Sequence, residues 1–144
     1  MLIKKDITNN KMNTLPNFDS KNRRAYFRMP CDIETDFVYL KTNDLGRFVG
    51  AEQHSGCIRD LSGGGIRLIT YAEMDINDRI MITMHLDDEV LFLTGDIQAK
   101  QSIPQEDYKM KYGIKFVDIS DLDQEKIIHY LFIQQRKNNL LATK

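Results

Sequence analysis

Residues 31–46 read Cys-Asp-Ile-Glu-Thr-Asp-Phe-Val-Tyr-Leu-Lys-Thr-Asn-Asp-Leu-Gly. In this stretch Ile33, Thr35, Phe37 and Tyr39 alternate with Asp32, Glu34 and Asp36, the period of a strand with one buried face. Asn43-Asp44-Leu45-Gly46 then supplies turn chemistry, so a hairpin is expected, with its return strand within residues 47–60. Gly63-Gly64-Gly65 forces a second reversal before Ile66, Leu68 and Thr70, with glycine permitting positive φ and close backbone approach. Period-two runs continue. Ile80, Ile82, Met84 and Leu86 are followed by an acidic turn at Asp87-Asp88. Leu91, Leu93, Gly95, Ile97 and Ala99 lead to a turn at Gln105-Glu106-Asp107, and Met110, Tyr112, Ile114 and Phe116 form the last run. About six strands at this spacing predict a mainly β fold, a small antiparallel barrel or sandwich.

The period changes near the C-terminus. Ser120 is placed to cap a helix whose first turn holds Asp121 and Asp123, while Ile127, Ile128, Leu131 and Gln135 recur at helical spacing. A helix of about 17 residues is expected from this pattern, with Arg136 and Lys137 near its negative end. Tyr130, Phe132 and Ile133 widen its apolar surface.

The chain has 144 residues, 42% hydrophobic and 28% charged, which suits one ordinary domain. At this length about 68–70% of the unfolded surface can be buried, so neither a metal nor a disulfide is needed as a staple. The net charge of −1 argues against a generally basic nucleic-acid coat. That average hides an asymmetry: residues 1–30 hold seven basic and two acidic side chains, a net of +5, leaving −6 for the remainder. Residues 1–22 lack apolar periodicity and read as a flexible arm. No apolar run approaches the roughly 18 residues of a membrane span and no signal-peptide core is present, so a cytoplasmic location without membrane insertion is expected.

Cys31 and Cys57 are the only cysteines and read as buried, reduced thiols. They are equidistant from residue 44. Pairing of the hairpin about that residue would set them opposite one another, a placement that would allow a regulatory disulfide. With His54, His85 and His129 in separate elements, no metal-ligand spacing and no nucleophile–base pair emerges, so neither a metal site nor catalysis is expected.

Two segments carry recognition chemistry. Arg23-Arg24-Ala25-Tyr26-Phe27-Arg28 puts three guanidinium groups and two rings directly before the first strand. A guanidinium grips a phosphate or a guanine O6/N7 edge through two bonds and stacks on a base. Asp60-Leu61-Ser62-Gly63-Gly64-Gly65 offers a carboxylate able to accept from the N1–H and N2–H₂ of guanine, and a hydroxyl beside it. Each has a plainer interpretation, a solvated basic flank and a capped glycine turn.

Together the segments resemble the PilZ domain, a bacterial receptor family for the second messenger cyclic di-GMP. Arg24 and Arg28 match its Arg-x-x-x-Arg, and Asp60, Ser62 and Gly65 match its (Asp/Asn)-x-Ser-x-x-Gly. The resemblance covers residues 23–138, leaving 139–144 as a tail. It implies a six-stranded antiparallel barrel with a C-terminal helix, and a non-catalytic receptor whose arginines hold phosphates and guanine faces while Asp60 and Ser62 read a guanine edge. Arg23, just before the signature, implies two stacked ligand molecules per chain. The arm would close over the ligand and present a new surface to an effector protein of motility, biofilm or exopolysaccharide control. Two other readings are a PilZ-like interaction module without nucleotide binding and a single-stranded nucleic-acid-binding barrel. Retention of both motifs argues against the first, and net charge argues against the second.

Overall fold

The computed structural model describes residues 27–142. The strands are β1 (Arg28–Thr42), β2 (Phe48–Ser62), β3 (Gly65–Thr70), β4 (Arg79–Leu86), β5 (Glu89–Ile103) and β6 (Lys109–Phe116), followed by helix α1 (Asp121–Ala142). All pairings are antiparallel, and the order β1-β2-β3-β6-β5-β4 closes into a barrel because β4 also pairs with β1. The period-two runs turn the expected residues inward: Phe37, Tyr39, Leu68, Ile80, Ile82, Met84, Ile97 and Tyr112 are all buried in one core. Ile127 and Leu131 of α1 join it. Among the described residues no helix is long and apolar enough to cross a membrane.

Two core tyrosines are buried with their hydroxyls satisfied by residues 72–78, as buried phenols require. Tyr112 Oη donates to the Ala72 carbonyl at 2.8 Å and accepts from the Met74 amide at 2.8 Å. Tyr39 Oη donates to the carboxylate of buried Asp78 and accepts from the Asp75 amide at 3.1 Å. Thr42 donates to the other Asp78 oxygen.

The first hairpin turns as its sequence predicts. Asn43 Oδ1 accepts from the Leu45 and Arg47 amides at 2.9 and 3.1 Å, and Gly46 takes the left-handed conformation at φ 77°. Its register differs from pairing about residue 44. Cys57 lies opposite Glu34, not Cys31, because the turn extends through Arg47 and Thr42 pairs with Phe48. Cys31 and Cys57 are free, and each is half-buried rather than buried.

The helix begins where expected, with the Asp123 amide donating to Ser120 Oγ at 3.0 Å. It runs for 22 residues, five beyond the expected 17, so Arg136 and Lys137 fall before its last turn, which carries no basic residue. Nothing in residues 138–142 breaks a helix: Asn138, Asn139, Leu140, Leu141 and Ala142 include neither glycine nor proline. Its apolar surface splits, for Ile127 and Leu131 are buried while Ile128 and Phe132 face outward.

Candidate functional site

The β2–β3 connection is only Gly63-Gly64, and Ser62 shapes it. Ser62 Oγ accepts from the Gly64 and Gly65 amides at 3.1 and 3.2 Å and donates to the Gly65 carbonyl at 3.3 Å. The hydroxyl is thus committed to the turn. None of the three glycines has a positive φ, which corrects the expectation from their sequence. At Gly65 the requirement is proximity instead: a Cβ there would stand 2.2 Å from the Ile114 carbonyl oxygen, so only glycine lets β3 lie this close to β6.

Antiparallel pairing carries the start of β1 back to this turn, with Arg28 opposite Ser62 and Pro30 opposite Asp60. Arg28, Asp60, Ser62 and Gly65 consequently line one open cavity of about 560 Å³ on the outside of the barrel. Four of the six site residues expected from the sequence are therefore together. Arg23 and Arg24 lie outside the described residues, as does the whole arm, 1–22.

The cavity also includes residues that the motifs did not single out. Arg67 follows Asp60 in the cross-strand row, its guanidinium nitrogen 4.0 Å from an Asp60 oxygen, and both side chains remain about one-third exposed (34% and 30%). Gly113 is next in that row, then Ala99, while Lys115 pairs with Gly65 one step along β6. Gln98 sits at the bulge between Ile97 and Ala99. Register shifts at Pro30/Ile33, Ile58/Asp60 and Ile97/Ala99 all border the cavity, where bulges re-aim strands and side chains. A sequence signal existed for Gly113, since a glycine inside a strand pattern marks close backbone approach or a bulge. Arg67 and Lys115 were legible only as outward positions between buried ones.

Around this face the charges are firmly placed. Arg59 holds Glu106 through two bonds of 3.0 and 3.3 Å, tying β2 to the β5–β6 turn and keeping the Glu106 carboxyl below its ordinary range. Burial pushes the Cys31 thiol up to about 12, with the Asp60, Cys57 and Asp32 charges adding to it. Gln124 of α1 reaches the turn from outside and donates to the Gly63 carbonyl at 2.9 Å.

A cation and a carboxylate held across a glycine turn on the outside of a six-stranded barrel define a narrow class, and the PilZ domain profile matches residues 22–132. The chain belongs to the PilZ domain family. PilZ domains are a receptor family for cyclic di-GMP rather than an enzyme family. Among solved structures this PilZ domain is similar to the Bacillus subtilis inhibitor of motility MotI/DgrA, with TM-score 0.63, 14% identity and coverage of 81% of this chain and 53% of that one. YcgR of Escherichia coli in complex with c-di-GMP gives TM-score 0.61 at 17% identity, over 84% of this chain and 50% of that one. The PilZ domain of YcgR with c-di-GMP gives 0.60 at 16% identity, covering 85% of this chain and 99% of that one. The chain thus spans about half the length of MotI/DgrA and of full YcgR, and at these identities the likeness establishes a shared fold. No curated protein sequence matches the chain.

Proposed function

We propose that this PilZ domain is a cytoplasmic, non-catalytic receptor for cyclic di-GMP. The observation that carries this reading is the convergence of Arg28, Asp60 and the Ser62–Gly65 turn on one cavity, although the two motifs are separated by 31 residues of chain. Arg28 supplies a planar cationic fork for a phosphate or a guanine face, and Asp60 accepts from the guanine N1–H and N2–H₂. Ser62 acts mainly by holding the turn, because its oxygen already serves two amides. Gly65 lets the strands close beneath.

Arg23 and Arg24 complete the ligand shell when the segment before residue 28 folds over the bound messenger. Ordering that segment costs entropy, which charge-assisted hydrogen bonds of about 1.5–3 kcal/mol each offset. With Arg23 present, two messenger molecules stack in the site. The closed segment then offers a changed surface to an effector protein of motility, biofilm or exopolysaccharide control.

Calorimetric titration tests this reading. Cyclic di-GMP is expected to bind saturably with two molecules per chain, and Arg23→Leu to reduce that number to one. Cyclic di-AMP, whose adenines lack the N1–H and N2–H₂ donors, is expected not to bind. Equal affinity for the two dinucleotides would remove Asp60 as a guanine reader.

A further inference from the structure

The outer face of a sheet normally presents a side chain at every second residue of each strand. In the cavity this pattern is interrupted. The cross-strand row Asp60, Arg67, Gly113, Ala99 passes from a carboxylate through a guanidinium to a bare backbone and a methyl group. The adjoining row places Gly65 beside Lys115. Gly65 and Gly113 thus lie diagonally on β3 and β6, and Arg67 and Lys115 occupy the opposite diagonal.

The two glycines have different causes. Gly65 is imposed by the fold, since its Cβ would collide with backbone. Gly113 is not. A Cβ there would find only Ala99 Cβ at 3.4 Å and Ala99 N at 4.0 Å, ordinary contacts, and its φ is not positive. Glycine inside a strand weakens the sheet and contributes no packing. What it provides here is a flat, open patch of peptide plane on the cavity floor.

We infer that the floor made by Gly113 and Ala99 is a stacking seat for one purine base, with Arg67 and Lys115 facing the phosphates beside it. This rests on the reading of the cavity as a cyclic di-GMP site and adds a subsite outside both sequence motifs. The chemistry fits a planar anionic ligand. A flat ring lies against peptide planes without displacing a side chain, and guanidinium and ammonium groups pair with phosphate oxygens. Arg67 and Lys115 against Asp60 leave this part of the lining with a surplus of positive charge.

The test uses the full chain carrying Gly113→Val, with affinity for cyclic di-GMP measured by calorimetry and folding by thermal melting. The side chain would stand where the base lies, so binding is expected to weaken at least about tenfold, while the melting temperature stays level or rises because a β-branched residue suits a strand. Should Gly113→Val melt lower, Gly113→Ala decides, because its single methyl fits: weakened binding at the wild-type melting temperature supports the seat, and unchanged binding overturns it. Lys115→Gln is expected to weaken binding and to flatten its salt dependence. Wild-type chain that binds while Gly113→Val binds equally well refutes the seat and leaves the receptor reading standing. Wild-type chain that does not bind refutes both.

Discussion

The side-chain amide of Gln124 donates to the Gly63 carbonyl at 2.9 Å, fastening the first turn of α1 to the glycine turn of the candidate site. The helix and the turn are separated in sequence by four of the six strands, β3 to β6, yet they share this bond. The bond ties the start of α1 to the turn at residues 62–65, and Leu122, Ile128 and Phe132 of this helix are exposed.

Replacing Gln124 by Leu removes that donor while retaining bulk. A loss of about 1 kcal/mol in unfolding free energy is expected, the usual net value of one such bond. Urea denaturation measures it, and faster hydrogen exchange at Gly64 and Gly65 would locate the effect. Exchange rates like those of the wild type would mean that α1 does not brace the turn.

Gly65→Ala tests the close approach of β3 and β6. Its methyl would meet the Ile114 carbonyl oxygen at 2.2 Å, so the strands must separate, at a cost of about 1–3 kcal/mol. Denaturant midpoints read the change. Wild-type stability would show that glycine there serves the ligand alone.

The Tyr39 hydroxyl is held up from its ordinary pKa by burial and by its bond to Asp78. The protonated phenol is therefore favoured in the folded state, and its stabilising contribution is present below the unfolded value near pH 10 and lost as pH rises above it. Stability is expected to fall above pH 10. Tyr39→Phe should reduce that slope and cost about 1–3 kcal/mol at neutral pH, since Asp78 and the Asp75 amide each lose a partner.

Cys31 and Cys57 should react slowly with thiol reagents in the native chain, because the thiolate is the reactive form and burial raises both thiols. At pH 8 the denatured chain is expected to react at least about tenfold faster. Equal rates would place a reactive thiolate in the folded protein.

Much of this architecture is legible in the sequence because one physical pattern repeats. Alternation marks five of the six strands, the turn at residues 43–46 places β2, and Ser120 marks the helix start. The short motifs bring four site residues to one cavity because β1 and β2 are joined by a tight hairpin. Register is less legible. The extension of the turn through Arg47 and the register shift at Lys41/Thr42 move Cys57 away from Cys31, and neither feature alters the hydrophobic alternation that sequence reading relies on. The floor was hidden for a related reason. Arg67, Ala99 and Gly113 come from three strands and become neighbours only through cross-strand pairing. Ser62 looked like a ligand group, but its hydroxyl first satisfies the turn's own amides, as short hydroxyl side chains commonly do.

The most direct test of the central claim is calorimetric titration of cyclic di-GMP into wild-type chain, Arg28→Ala and Asp60→Ala under one set of salt conditions. The expected result is saturable binding to the wild type and a loss of at least about 1.5 kcal/mol, roughly tenfold or more, in each variant. Absence of binding to correctly folded wild-type chain, or affinities unaltered by both substitutions, would contradict the account.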